Sequence, residues 1–413
     1  MSNQTKQSVS NSNKKDREPN NFSFTITKQS TDNQARLGII HTPHGDIHTP
    51  AFIPVATKAT IKSLTPQQIN DMGFDSILSN TYHLYLQPGP DIIEKGGKIQ
   101  KFMAWHKPMF TDSGGFQVFS LSGKLCTISD THVTFRSHID QSTHVLTPEK
   151  SMQIQRQLGA DLIFAFDQCL DINADYPTTQ ASLKRTHNWE TRSVLEFNKI
   201  NIDNSQALYG IVQGGRFTEL REESAKFVTT LNTFGIGIGS IFGDPKEESV
   251  KLVTHALKHL PEHKPKHLLG IGSVDDIFYY VPLGIDTFDC VLPTRLARIG
   301  HIFTRPESGG NVENKFRIKI TNAKYKEDQT PLDPACTCYT CTHFTKSYIH
   351  HLEKSKELLF YTLATIHNLS FFKRLMDEIQ QSIQNDSFKI LRQKWIDQTE
   401  EKIEENKEHN SKI

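Results

Sequence analysis

The sequence predicts an α/β fold, a (β/α)₈ barrel, on three observations. Short apolar runs of strand length recur along the chain, and several are followed by a helix start that carries its own signal. About eight such units fill some 250 residues, with no Pro/Gly/Ser linker between them and no internal repeat. The runs also end on polar residues, as strands of a barrel do where they open onto a site. In chain order the sequence predicts strands at Ser76 to Asn80, Pro108 to Thr111, Asp161 to Phe166, Ala207 to Val212, Gly235 to Gly239, His267 to Gly270 and Ile285 to Phe288. Between them, Thr147 followed by Pro148 reads as an N-cap with proline at the first helical position. Ser273-Val274-Asp275-Asp276 has capping-box spacing with Asp in place of Glu. Alternation of this kind implies a parallel sheet, and eight units imply its closure.

Composition narrows the function classes. Of the 413 residues 36% are hydrophobic and 23% charged, which suits a large core and excludes a wholly disordered chain. Lys and Arg total 47 against 46 Asp and Glu, so a nucleic-acid ligand requires a local basic patch. The longest uncharged apolar stretch, near Ile277 to Ile285, is far short of the roughly 20 residues a membrane span needs. Six cysteines, three of them clustered, do not make a disulfide framework and fit a reducing, cytoplasmic setting. Residues 1–21 are polar with no apolar signal region and read as a disordered tail. A charged C-terminal tail is expected at 396–413, which leaves 22–395 as the barrel domain.

The chemistry gathers at the strand ends. Asp112, Asp167, Gln213 and Asp289 each follow a predicted strand, so in a barrel they converge on one face. The alternative is that each caps the next helix, where Asp is a common choice. Ser113-Gly114-Gly115 after Asp112 leaves backbone N–H groups open to a ligand edge.

Two further constellations stand out. Cys336-x-Cys338-x₂-Cys341 packs three thiolates into six residues, which with one imidazole makes the closed Cys₃His shell of a structural zinc site. Spacing leaves the histidine open among His343, His350, His351 and His367, the first three being closer in sequence. The stretch 295–326 carries eight basic residues, Arg295, Arg298, Arg305, Lys315, Arg317, Lys319, Lys324 and Lys326, against Glu307 and Glu313. This net +6 is either a phosphate-binding strip or a solvated face. The nineteen histidines make no other ligand spacing. G-x-G-x-x-G, the Walker A lysine motif, H-E-x-x-H and G-x-S-x-G are all absent.

Four motifs together resemble bacterial-type tRNA-guanine transglycosylases, the queuine tRNA-ribosyltransferase family. They are Thr111-Asp112-Ser113-Gly114-Gly115-Phe116-Gln117-Val118, Gly210-Ile211-Val212-Gln213-Gly214-Gly215, Phe288-Asp289-Cys290-Val291-Leu292-Pro293-Thr294-Arg295 and the cysteine set with His367. The resemblance implies a TIM barrel with an inserted zinc subdomain near 310–370, acting as a cytoplasmic homodimer. It implies exchange of guanine at the first anticodon position of the tRNAs for Asp, Asn, His and Tyr. The incoming base would be 7-aminomethyl-7-deazaguanine, a queuosine precursor.

By the same resemblance Asp289 is the nucleophile and Asp112 the general acid/base. Asp112, Ser113, Phe116, Asp167, Gln213, Gly239 and Leu269 hold the base, Arg295 and Arg298 lie near the tRNA backbone, and Cys336, Cys338, Cys341 and His367 hold one structural Zn²⁺. Base exchange at a sugar carbon needs a carboxylate to hold the ribose and a second to move the base's proton, so two aspartates suit it chemically. Two departures from the family pattern stand out: Gln168 where Glu is common, and the loop Ile238-Gly239-Ser240-Ile241-Phe242-Gly243-Asp244 beside the base's 7-substituent. Bulky Phe242 speaks against the larger queuine. The alternatives are a queuine-using enzyme, a catalytically silent tRNA-binding subunit, which both retained aspartates oppose, and a DNA-modifying relative, which Arg295, Arg298 and the cysteine motif oppose.

Overall fold

A computed structural model of the chain describes residues 21–122, 126–241 and 246–397. At its centre eight parallel strands follow one another around a barrel: β1 (Ala51–Pro54), β2 (Ile77–Ser79), β3 (Met109–Thr111), β4 (Leu162–Phe164), β5 (Ala207–Val212), β6 (Gly235–Ile238), β7 (Lys266–Leu268) and β8 (Thr287–Cys290). β8 pairs with β1 from Thr287↔Ala51 to Cys290↔Pro54, and a parallel bridge between Val55 and Leu78 joins β1 to β2. The expected (β/α)₈ architecture is therefore present.

Seven strands match the apolar runs to within a few residues, and β1 is the one the sequence reading missed. Its four residues follow Pro50 and end on Pro54, and proline, which cannot donate to a ladder, argues against a strand. Both helix starts form as read. Thr147 Oγ1 accepts from the N–H of Lys150 at 3.1 Å, and Ser273 forms a capping box with Asp276.

One end of the barrel is closed. The antiparallel sheet Ser23–Gln29, Arg36–Thr42 and Gly45–Thr49 runs directly into β1, and its Ile40 and Ile47 join Phe110, Phe164 and Tyr209 in one buried cluster inside the barrel. The sheet is fastened at residues that precede strands. His44 Nδ1 meets Asp161 at 2.6 Å just before β4, and Arg36 pairs with Asp286 at 2.6 Å just before β8. The plug therefore occupies the N-terminal ends of the strands, and the C-terminal ends stay open.

Two insertions flank that open end. Cys126–Ile128, Val133–Arg136 and Thr143–Leu146 form an antiparallel sheet between β3 and β4. After β8 the chain makes the pair His301–Phe303 and Arg317–Lys319, passes through the cysteine cluster, and returns on the 27-residue helix Leu358–Gln384. Phe372 on that helix meets Phe52 of β1 with ring centroids 4.7 Å apart, both buried. Truncating either ring would cost about 3–5 kcal/mol, so this contact locks the returning helix to the barrel. Trp395 and Ile396 are buried at the end of the described chain.

Candidate active site

Asp112, Asp167, Gln213 and Asp289 line one cavity of about 730 Å³ at the open end. None of them caps the helix that follows it: those helices start behind Gly114, Asp175, Phe217 and Val291. The capping alternative is thereby excluded, and convergence accounts for these residue types. Ser113, Phe116, Gly239, Leu269, Arg295 and Arg298 line the same cavity, so every base and RNA residue named from the sequence is brought to it.

Asp112 is held from three sides. Thr81 N–H donates to Oδ1 at 2.8 Å, Gln117 Nε2 donates to Oδ2 at 2.8 Å, and Asn80 Nδ2 donates to Oδ2 as well. Burial outweighs these donors and, with the nearby charge of Asp289, pushes the carboxyl up to about 6. Asp167 accepts from Gln213 Nε2 at 2.7 Å and from Ser113 Oγ at 3.1 Å, and burial likewise lifts it to about 6. Gly239 lies against this pair; a Cβ there would come within 2.7 Å of Gln213 Nε2.

Among the described residues Asp289 is anchored through one oxygen. Oδ1 accepts from Gly270 N–H at 2.8 Å and from His267 Nε2 at 3.0 Å, while His267 Nδ1 meets Thr287 Oγ1 at 2.8 Å. The Asp289 carboxylate can only accept, so the contact requires the proton on Nε2, and a neutral ring then takes the Thr287 hydroxyl's proton at Nδ1. Cys169 and Cys290 share the cavity wall, but burial pushes both thiols up to about 12. At neutral pH they are thiols, so neither supplies a thiolate to this cavity.

Sequence reading missed His267, Asn80, Gln117, Lys58 and Lys62. His267 and Asn80 were absorbed into predicted strands, where a polar residue within an apolar run was the available signal. Lys58 and Lys62 lie at the cavity with Arg295 and Arg298. After burial, the charges of Arg298, Lys58 and Arg295 lower the Lys62 ammonium, so the four cations form one field. Arg305 leaves the basic strip: it is buried, paired with Glu378 and Glu307, and stacked over Trp395 at 5.2 Å. Lys315, Lys319, Lys324 and Lys326 remain exposed.

Gln168 does not line the cavity. Its Oε1 accepts from Arg185 Nη1 at 2.6 Å, so this departure from the family pattern faces away from the site. Ser240 does line it and meets Cys169 Sγ at 3.0 Å. Phe242, Gly243 and Asp244 lie outside the described residues.

Cys336, Cys338, Cys341 and His367 bring their ligand atoms within 4.8 Å of one another, all four buried, and can hold a metal ion. His367 Nε2 donates to the carbonyl of Phe303 at 2.8 Å, which leaves the Nδ1 lone pair for the metal side, 3.1 Å from Cys341 Sγ and 3.7 Å from Cys338 Sγ. Two of the nearer histidines are engaged elsewhere. His350 Nδ1 bonds the carbonyl of Ile320 at 2.8 Å, and His343 Nδ1 that of Tyr339 at 2.9 Å.

The family model for queuine tRNA-ribosyltransferase matches residues 31–401. Proteins of that name show the same similarity over nearly their whole length. The one from Halothermothrix orenii is 44% identical over 376 residues, 91% of this chain and 97% of its own. The one from Thermoanaerobacter pseudethanolicus is 46% identical over 364 residues, covering 88% and 94%. That from Francisella tularensis subsp. tularensis is 44% identical over 374 residues, covering 90% and 98%. No described helix is long and apolar enough to cross a membrane.

Proposed function

This chain belongs to the queuine tRNA-ribosyltransferase family, and from that premise we propose that its cavity exchanges guanine at the first anticodon position of the tRNAs for Asp, Asn, His and Tyr for 7-aminomethyl-7-deazaguanine. It is a tRNA-guanine transglycosylase, a pentosyltransferase of the queuosine pathway. The observation that carries the finer reading is the pairing of two carboxylates of unlike surroundings in one cavity. Asp289 is anchored at Oδ1, and Asp112 is pushed up to about 6 by burial.

In the first step Asp289 attacks C1′ of the ribose, the bond from C1′ to guanine breaks, and its electron pair leaves with the base. Protonated Asp112 gives its proton to the departing ring nitrogen. In the second step the incoming base surrenders its ring N–H proton to Asp112 and attacks C1′, and the bond to Asp289 breaks. Two inversions retain the sugar configuration, as in retaining glycosidases. A group with a pKa of about 6 can serve in both directions near neutral pH, a contribution typically of 10²- to 10⁴-fold.

Asp167 and Gln213 suit the donor-rich edge of a guanine-like base, with Phe116 and Leu269 available on its faces. The anticodon loop is single-stranded, so extruding the base costs little. Lys58, Lys62, Arg295 and Arg298 at the cavity supply the charge for flanking phosphates. We assign Zn²⁺ to the Cys₃His group, where four protein ligands close the shell and give the ion a structural role. Supplying guanine, 7-aminomethyl-7-deazaguanine and queuine in turn to enzyme with a labelled tRNA-Tyr transcript tests the reading. Release of guanine by the aminomethyl base supports it; release by queuine alone overturns the choice of base, and no exchange with any base overturns the reaction.

A further inference from the structure

Outside the cavity lining, on the outer helices of the barrel, lies a second group of metal-ligating side chains. His255, on helix Lys246–Leu257, and His259, in the turn beyond it, are four residues apart and share one face. They look across at Glu222 on helix Thr218–Thr230. His255 Nε2 is 3.0 Å from Glu222 Oε2, His259 Nε2 is 3.6 Å from Glu222 Oε1, and all three ligand atoms fall within 4.8 Å of one another. Metal bonds of about 2.0–2.2 Å place neighbouring donors roughly 3 Å apart, and each histidine already stands near that separation from one oxygen of the Glu222 carboxylate. The side chains are 25–32% exposed, open enough for an ion to enter and for rotamers to adjust.

We propose that Glu222, His255 and His259 bind one divalent transition ion of the imidazole-preferring class, such as zinc, with the remaining coordination positions taken by water. Lys226 also pairs with Glu222, but its side chain is 60% exposed and passes to water when the ion enters. Three mixed N and O ligands with open positions form a weaker site than the Cys₃His group. The ion joins two neighbouring helices of the barrel's outer ring. Arg221, next to Glu222, donates to the carbonyls of Gly239 at 2.7 Å and Ser240 at 2.6 Å, so the braced helix also buttresses the cavity wall.

The test uses full-length, tag-free protein dialysed against zinc buffers of increasing free Zn²⁺, with bound metal counted per chain. Wild type should take up one ion more than a variant carrying His255→Ala and His259→Ala, which keeps only the Cys₃His ion. Glu222→Gln should shift uptake of the extra ion to higher free Zn²⁺ by at least the roughly tenfold that loss of an outer-shell partner costs. Loading the extra site with Co²⁺ should add absorption without a thiolate charge-transfer band. Equal stoichiometry in wild type and the double variant, or unchanged uptake in Glu222→Gln, overturns the proposal. Thermal melting of each variant confirms that the comparison is between folded chains.

Discussion

Replacing Gly239 by Ala tests the base-recognition wall with the smallest change the chain allows. Gly239 has no left-handed φ, so the backbone accepts alanine, and the effect comes from the added methyl group. That Cβ would sit 2.7 Å from Gln213 Nε2 and 3.3 Å from Gln213 Cδ, closer than packed atoms tolerate. A flexible end group in water would swing aside, but Gln213 is buried and its Nε2 holds Asp167 at 2.7 Å. Displacing it leaves a buried carboxylate oxygen short of a donor, a penalty of about 1–3 kcal/mol. At about 1.4 kcal/mol per decade, binding of the base should weaken by roughly 5- to 150-fold. The assay is incorporation of labelled guanine into a tRNA-Tyr transcript, read as KM for guanine and as kcat. The expected result is a raised KM for guanine with KM for tRNA little changed, because Arg295 and Arg298 are untouched. A KM for guanine within twofold of wild type, in a variant that remains folded at the assay temperature, would refute the assignment of Gln213 and Asp167 to the base.

Asp289→Asn should abolish the denaturation-stable adduct that wild type forms with a tRNA stem-loop and a slow second substrate; an adduct seen on a gel with the variant removes Asp289 as nucleophile. Burial lifts Asp167 from 3.8 to about 6, so the folded chain holds this proton more tightly than the unfolded one. The associated stability is complete below about pH 4 and is lost as pH rises through 6, in all about 3 kcal/mol. Asp167→Asn escapes that loss, so its melting temperature relative to wild type should climb between about pH 4 and pH 6.5 and level off above, and a constant difference across that range would count against the shift. Cys338→Ala should lose the tightly bound ion and melt earlier, since structural zinc contributes on the order of 10–16 kcal/mol of apparent binding energy; an unchanged melting curve rules out a structural role. Lys58→Ala with Lys62→Ala should flatten the salt dependence of stem-loop binding by roughly 0.7–0.9 in log slope per residue. Lys315→Ala with Lys319→Ala should do the same if the strip reaches phosphates, and a slope unmoved by either pair would send the search for the tRNA surface elsewhere.

The local sequence was sufficient for much of this protein. Strand-length apolar runs and self-contained helix caps at Thr147 and Ser273 specify alternating elements, because helix starts and strand runs are short-range properties. Asp112, Asp167, Gln213 and Asp289 were legible because a barrel brings every strand's C-terminal end to one face, so position along the chain translates directly into position in space. The three cysteines were legible because thiolates at that density have few other uses.

Tertiary structure decided what depends on residues distant in sequence. β1 forms directly after Pro50 and through Pro54 because β8 supplies its ladder, a partner more than 230 residues away. His367 rather than His343, His350 or His351 stands with the cysteines because the returning helix, locked by Phe372 against Phe52, carries it there and Phe303 takes its other nitrogen. Arg305 reads as part of a basic strip, yet packing buries it against Glu378 and Trp395. The raised carboxyls of Asp112 and Asp167, the His267 contact to Asp289 and the Lys58, Lys62, Arg295 and Arg298 field all follow from burial and through-space charge, which the order of residues does not encode. Sequence alone determined which chemical groups this chain places at its strand ends; the folded barrel determined how far each group is from water and from its neighbours, and hence how strongly it holds a proton.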